Sequence, residues 1–228
     1  MVFRDRAEAA ELVAQQLMEY EGKHPLVAAI PRGAVIMAKI IAEKLSGDLD
    51  VVLVRKLRAP GQPELAIGSV DETGGTYISP FAAAVGADDA YIAAERDRQL
   101  RTITQRRRLY TPVRPPIDPA GRVVIVVDDG LATGATMISA LDALRALHPA
   151  RLICAVPVSP ADTLELVRQH ADDVVCLDVP RSFHAVGQFY RSFPQVEDAD
   201  VIDLLRPTGL VGPGAGDARP RDVAGGAP

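Results

Sequence analysis

Two adjacent carboxylates, Asp128 and Asp129, end the apolar run Val123-Val124-Ile125-Val126-Val127, and Gly130-Leu131-Ala132-Thr133-Gly134-Ala135-Thr136 follows at once. Five β-formers predict a buried strand, the Gly, Ala and Thr residues a tight loop, and the stretch from Met137 a helix. A loop of this kind aims several backbone N–H groups at one point, where the helix dipole favours an anion. Thr133 and Thr136 can add hydroxyl donors. At the strand's end, Asp128 and Asp129 can hold vicinal hydroxyls or a metal-bound sugar. A phosphate cradle beside a diol-binding acid pair suits a ribose 5-phosphate.

Each half of this pattern has an ordinary reading. An acid pair after a strand is often a solvated loop, and a Gly-Thr loop is often a turn with an N-cap. It is their order that points to chemistry. Two rival phosphate motifs fail. A P-loop needs Gly-Lys followed by Ser or Thr, whereas Gly134 precedes Ala135 and Thr136. A dinucleotide fingerprint needs G-x-G-x-x-G after a strand, and no predicted strand is followed by one.

The strand, acid pair, T-G-x-T loop and helix resemble the phosphoribosyl-diphosphate (PRPP) fingerprint of type I phosphoribosyltransferases, most like a poorly characterised bacterial group. The resemblance covers roughly residues 22–205. It implies transfer of the 5-phosphoribosyl group of PRPP to a nitrogen nucleophile, a nucleobase-like acceptor, with release of pyrophosphate. Residues Ala132, Thr133, Gly134, Ala135 and Thr136 would hold the 5-phosphate. Asp128 and Asp129 would hold the ribose hydroxyls, directly or through water on a Mg²⁺ ion. Arg32 and Gly33, in Ile30-Pro31-Arg32-Gly33-Ala34, match the pyrophosphate loop. Arg55 and Lys56 would neutralise the leaving group, with Lys56 counted among the catalytic residues.

The segment from Lys56 to Glu64 resembles the family's flexible catalytic loop, and Glu64 is a candidate proton acceptor. Pro180, Phe183 and Gly187 resemble, with altered spacing, the hypoxanthine-guanine pattern in which an aromatic stacks on the purine, making Phe183 the candidate base-stacking residue. The competing reading of Phe183 is packing. The phosphate loop instead looks like adenine or uracil members: Ala132 stands where 6-oxopurine members carry an Asp. The acceptor stays open. A different class stays open too, a non-catalytic PRPP- or nucleotide-sensing regulator on the same fold, as does, more weakly, a hydrolase of phosphorylated sugars. Members often dimerise, which leaves a homodimer open.

The elements that must position these residues follow from periodicity. Residues 7–20 read as an amphipathic helix, Leu26 to Ile30 as a strand, Val35 to Leu45 as a helix and Asp50 to Arg55 as a second strand ending in Arg55-Lys56. After the strand at Val123 to Val127 comes a helix to about Leu147. Strands at Leu152 to Val156 and Val174 to Leu177 flank a helix near Asp162 to His170. Alternation of continuous apolar strands with helices predicts an α/β fold: a parallel five-stranded sheet with helices on both faces, plus a small hood and a long flexible loop. Ligands sit at a switch point of such a sheet. The first strand should therefore neighbour the one carrying the acid pair.

The insertion, residues 57–120, divides into Leu57 to Ser79, rich in Gly and turn residues and read as a lid, and a charged helix from Asp88 to Tyr110. Arg106-Arg107-Arg108 reads as a solvated helix end rather than a polyanion site. Residues 1–206 form one domain with hood elements from 1–20 and 179–206, and 207–228 reads as a disordered tail.

Composition narrows the class. The chain has 228 residues, 48% hydrophobic and 24% charged, with net charge −5. Acidic balance makes a nucleic-acid partner a poor expectation. No apolar run reaches the ~18 residues of a membrane span. The charged start, Met1 to Arg6, lacks a signal core, so the expected location is cytoplasmic. Cys154 and Cys176, in apolar runs, read as buried free thiols.

Overall fold

Continuous apolar runs cannot sit at a wet edge, and they form the centre of the fold in the computed structural model, which describes residues 1–206. Strands β1 (Leu26–Ala29), β2 (Asp48–Val51), β6 (Val123–Val127), β7 (Arg151–Val158) and β8 (Asp173–Asp178) make a parallel sheet ordered β2-β1-β6-β7-β8. Alternate side chains feed two cores. Val27, Ala29, Ile125 and Val127 face one, with helices α1 (Arg6–Gln16) and α2 (Ala34–Leu45). Leu26, Ala28, Val124 and Val126 face the other, with α4 (Ala135–Arg145). Helices α5 (Ala161–Arg168) and α6 (Asp198–Leu205) complete the domain.

The register matters for the site. Ala29 is level with Val51 on one side and Val127 on the other, so the loops after β1 and β6 leave the sheet side by side. From β1 the chain first builds outward through β2 and later returns to β1's other flank as β6, which makes the β1–β6 boundary the switch point. The neighbours are those expected from the sequence.

The insertion is more ordered than expected. Leu57 to Ser79, read as a flexible lid, is largely an antiparallel sheet of β3 (Val54–Ala59), β4 (Gln62–Asp71) and β5 (Thr76–Ile78). Gly61, at φ 68°, makes the β3–β4 turn, and Asp71 Oδ1 accepts from the amides of Thr73 and Gly75 in the next. The frequent turn residues mark hairpin corners, while Val54, Leu57 and Ala59 are buried along β3. The predicted second strand is likewise two strands. It leaves the parallel sheet at Val51, where the Asp50 carboxylate accepts from the Val51 and Ile117 amides, and Arg55 and Lys56 lie inside β3 rather than at the parallel sheet's edge.

The charged helix is α3 (Asp89–Tyr110), capped by Asp88, whose side chain accepts from the Tyr91 amide at 2.8 Å. Its arginines do more than end it in solvent. Arg107 donates to Glu72 and to the Val51 carbonyl, and Arg106 lies 3.5 Å from Asp198. In the predicted hood, Phe3 bridges Tyr190, while α1 packs on α2 and the sheet. The predicted tail, 207–228, lies outside the described residues. Cys154 and Cys176 are free thiols, the first buried and the second half-buried.

Candidate functional site

The loop after β6 and the start of α4 enclose a cavity of about 170 Å³ lined by Asp128, Asp129, Gly130, Leu131, Ala132, Thr133, Gly134, Thr136, Met137, Lys56 and Val186. Gly134 caps α4 at φ 74°, a left-handed conformation that suits glycine, and a Cβ there would lie 3.0 Å from Thr163 Cγ2. Thr163 fixes the loop from behind by donating to the Ala132 carbonyl at 2.8 Å. Amides in a helix's first turn have no intrahelical partner, and at α4 they adjoin this cavity. The second sheet supports the same helix. Ser69 of β4 donates to the Ala135 carbonyl at 2.8 Å and meets Ser139.

Each carboxylate of the pair has one oxygen engaged by protein. Asp128 Oδ1 accepts from the Asp129 amide at 2.8 Å, and Asp129 Oδ2 accepts from Arg6 Nε at 2.9 Å, with Nη2 at the same distance in the ion pair. Burial, followed by the adjacent Asp129, holds the Asp128 carboxyl well above the ordinary carboxylate range. Burial also raises Asp129, opposed first by the Arg6 guanidinium. Lys56 lowers both from across the cavity. Tyr190 donates its hydroxyl to the Asp129 carbonyl at 2.7 Å. Gly33 completes the packing, since a Cβ on it would lie 2.3 Å from Asp129 Oδ2.

A second cleft, of about 270 Å³, adjoins the first through Lys56 and Thr136, and it is lined also by Pro31, Val54, Arg55, Arg58, Pro63, Ala66 and Arg106. Among the described residues, four cations and no carboxylate line it. Arg55 donates to the neutral Gln99 side chain at 3.0 Å. Burial and then Arg106, Arg58 and Arg32 pull the Arg55 guanidinium below its usual value. Like charges held together in this way favour a multivalent anion.

The fold thus gathers Asp128, Asp129, Lys56, Ala132, Thr133, Gly134 and Thr136 at one cavity, with Ala135 buried at the helix start behind it and Gly33 against Asp129. Arg55 joins Lys56 in the cleft. Other candidates lie elsewhere. Arg32 is paired with Glu197 at 2.6 Å. Phe183 stacks on Phe189 at 5.4 Å, in keeping with packing. Glu64 falls in β4, with its side chain outside the described part. Sequence reasoning missed Arg6, Arg58, Arg106 and Tyr190. Arg6 had a signal: it falls four and seven residues before Ala10 and Val13, on the buried face of α1.

The model of the phosphoribosyl transferase domain matches residues 4–193. The chain belongs to the phosphoribosyl transferase family. A Mycobacterium tuberculosis protein that carries phosphoribosyl transferase as a provisional name is 38% identical over 205 residues, which is 90% of this chain and 46% of that protein. The chain therefore spans about half the length of the curated relatives it first matches. The Bifunctional protein PyrR of Chloroflexus aurantiacus is 38% identical over 130 residues, 56% of this chain and 66% of its own. Among solved structures, TT1426 from Thermus thermophilus is 43% identical with a TM-score of 0.76, covering 90% of this chain and 98% of that one.

For Mg²⁺ the donors are sufficient only in part. Among the described residues, no group of three or more His, Cys, Asp or Glu side chains is arranged to hold a metal ion. Two carboxylates with one oxygen each still open fit a Mg²⁺ that takes its other ligands from water and substrate oxygens, the usual habit of that ion. No helix among the described residues is long and apolar enough to cross a membrane.

Proposed function

We propose that the protein transfers the 5-phosphoribosyl group of PRPP to a nitrogen nucleophile, a nucleobase-like acceptor, and releases pyrophosphate. The observation that carries this reading is the sharing of Lys56 and Thr136 by two unlike cavities, one with an acid pair and a phosphate loop, the other cationic. PRPP has the same polarity: a ribose with its 5-phosphate at one end and a diphosphate at C1. The backbone of residues 132–136 and the Thr133 and Thr136 hydroxyls hold the 5-phosphate, and Asp128 and Asp129 hold the ribose hydroxyls. Lys56, Arg55, Arg58 and Arg106 face the diphosphate, beside the Pro31-Arg32-Gly33 loop.

As the C1–O bond breaks, the diphosphate leaves with the electron pair and the sugar becomes oxocarbenium-like. The acceptor nitrogen's lone pair then forms the C1–N bond, and the proton on that nitrogen departs. Glu64 is the proposed acceptor of that proton. Positioning and electrostatics do most of this work. Asp128 and Asp129 would hold a Mg²⁺ ion, which would supply charge neutralisation for the leaving group. Phe183, half-buried and stacked on Phe189, is the proposed base-stacking residue.

The test is calorimetric titration of PRPP with Mg²⁺, followed by pyrophosphate release across a panel of nucleobases. Binding with base-dependent release supports the transferase. Tight binding with no release on any base would replace it with the PRPP-sensing regulator. Failure of a folded protein to bind PRPP would end both readings.

A further inference from the structure

We propose that Arg6 is a positioning residue of the acid pair: it occupies one oxygen of Asp129, and the hood braces it there, so that the ribose meets a fixed and half-engaged pair. This rests on the proposed ribose site. Four observations carry it, all in geometry.

First, Arg6 is a charged side chain only 8% exposed, and its partner Asp129 is 16% exposed. A guanidinium buried to that degree needs all its donors occupied. Second, each of its three nitrogens meets an acceptor oxygen, and they do so from two directions. Nε and Nη2 reach Asp129 Oδ2 at 2.9 Å, and Nη1 donates to the Pro194 carbonyl at 2.7 Å. Third, the guanidinium carbon lies 3.7 Å from the centre of the Phe193 ring, a stacking that fixes the plane of the fork. Fourth, the ion pair packs directly on Gly33, because a Cβ there would lie 2.3 Å from Asp129 Oδ2 and 2.8 Å from Arg6 Nε.

The consequence is an asymmetric pair. Among the described residues, Arg6 takes Asp129 Oδ2 and leaves Oδ1 open. Asp128 presents Oδ2, because Oδ1 is taken by the Asp129 amide. Two vicinal hydroxyls, or a cation carrying them, then find one open oxygen from each carboxylate. Arg6 also offsets one of two adjacent negative charges, so that the pair can be buried in the absence of ligand. The same contacts tie the hood to the pair, since Tyr190 holds the Asp129 backbone while Phe193 and Pro194 hold Arg6.

The experiment compares wild type, Arg6→Ala, Arg6→Lys and Phe193→Leu by calorimetry with PRPP and Mg²⁺, each alongside its melting temperature. Arg6→Ala should weaken PRPP binding at least tenfold. Arg6→Lys, which keeps the charge with one-point donation, should recover part of that loss. Phe193→Leu leaves every ion pair in place and should weaken binding about threefold. This variant keeps the idea testable if Arg6→Ala does not fold. Where transfer is measurable, the Arg6→Lys defect should fall on KM for PRPP more than on kcat. Two outcomes overturn the proposal: wild-type affinity in Arg6→Ala, or wild-type affinity in both Arg6→Lys and Phe193→Leu. A wild-type protein that binds no PRPP would instead remove the ribose site itself.

Discussion

The acid-pair cavity and the cationic cleft share Lys56 and Thr136 but are built differently. The first is made by the ends of β1 and β6, held by main-chain hydrogen bonds, two glycines on which a Cβ would crowd Asp129 and Thr163, and an ion pair. The second is made by side chains from β3 and α3, elements inserted between β2 and β6, and Lys56 and Arg58 are exposed there. Under the proposed function, recognition that needs fixed geometry would sit on the sheet, and recognition by charge would sit on the insertion. Coulomb attraction tolerates movement that hydrogen bonds to a diol do not.

Five variants test that division, four of them with ribose 5-phosphate and pyrophosphate as separate probes. The largest effect is expected from Asp128→Asn, which should weaken ribose 5-phosphate binding roughly 10- to 100-fold, the loss of a hydrogen bond to a charged group. Its melting temperature should hold or rise, because burial penalises the carboxylate and not the amide. Unchanged affinity for ribose 5-phosphate would detach the acid pair from the sugar. Gly33→Ala should come next, destabilising the fold by about 1–3 kcal/mol, as overpacking does. Denaturant titration measures it, and a neutral result would mean that Asp129 and Arg6 move more freely than their packing implies.

Arg106→Ala should cost pyrophosphate about tenfold in affinity, while Arg58→Ala, exposed and screened, should cost about threefold or less. Neither should alter ribose 5-phosphate binding. If both probes weakened equally, the two cavities would have to be treated as one. Repeating the pyrophosphate titration at high salt should erase most of the Arg58 effect. A modest effect, felt by both probes, falls on the shared edge. Thr136→Val removes one hydroxyl and should weaken both ligands by about fivefold, near 1 kcal/mol. A loss confined to one ligand would assign Thr136 to a single cavity.

The regions also differed in how much of them could be read in the sequence. Asp128 to Thr136 are contiguous, so strand, acids, loop and helix appeared in order in one stretch. The cleft draws on Arg55 and Arg58 of β3 and Arg106 of α3, which no local pattern connects. The glycines at 61, 74 and 75 read as a flexible segment because turn residues outnumber apolar ones there, although β3 and β4 pair across the first and β4 and β5 across the other two. Phe183 was assigned by resemblance at altered spacing, and in the fold it lies against Phe189.

By itself the sequence determined the α/β alternation, the parallel sheet and the chemistry of the phosphate loop. Each depends on residues close in the chain, where hydrophobic period and turn chemistry act directly. Only the tertiary structure decided that Arg6 pairs with Asp129, that Gly33 must lack a side chain, and that three scattered arginines face one cleft. Those contacts join segments far apart in sequence. They exist because the register of β1 against β6 places the two loops side by side, and local propensity carries no information about that register.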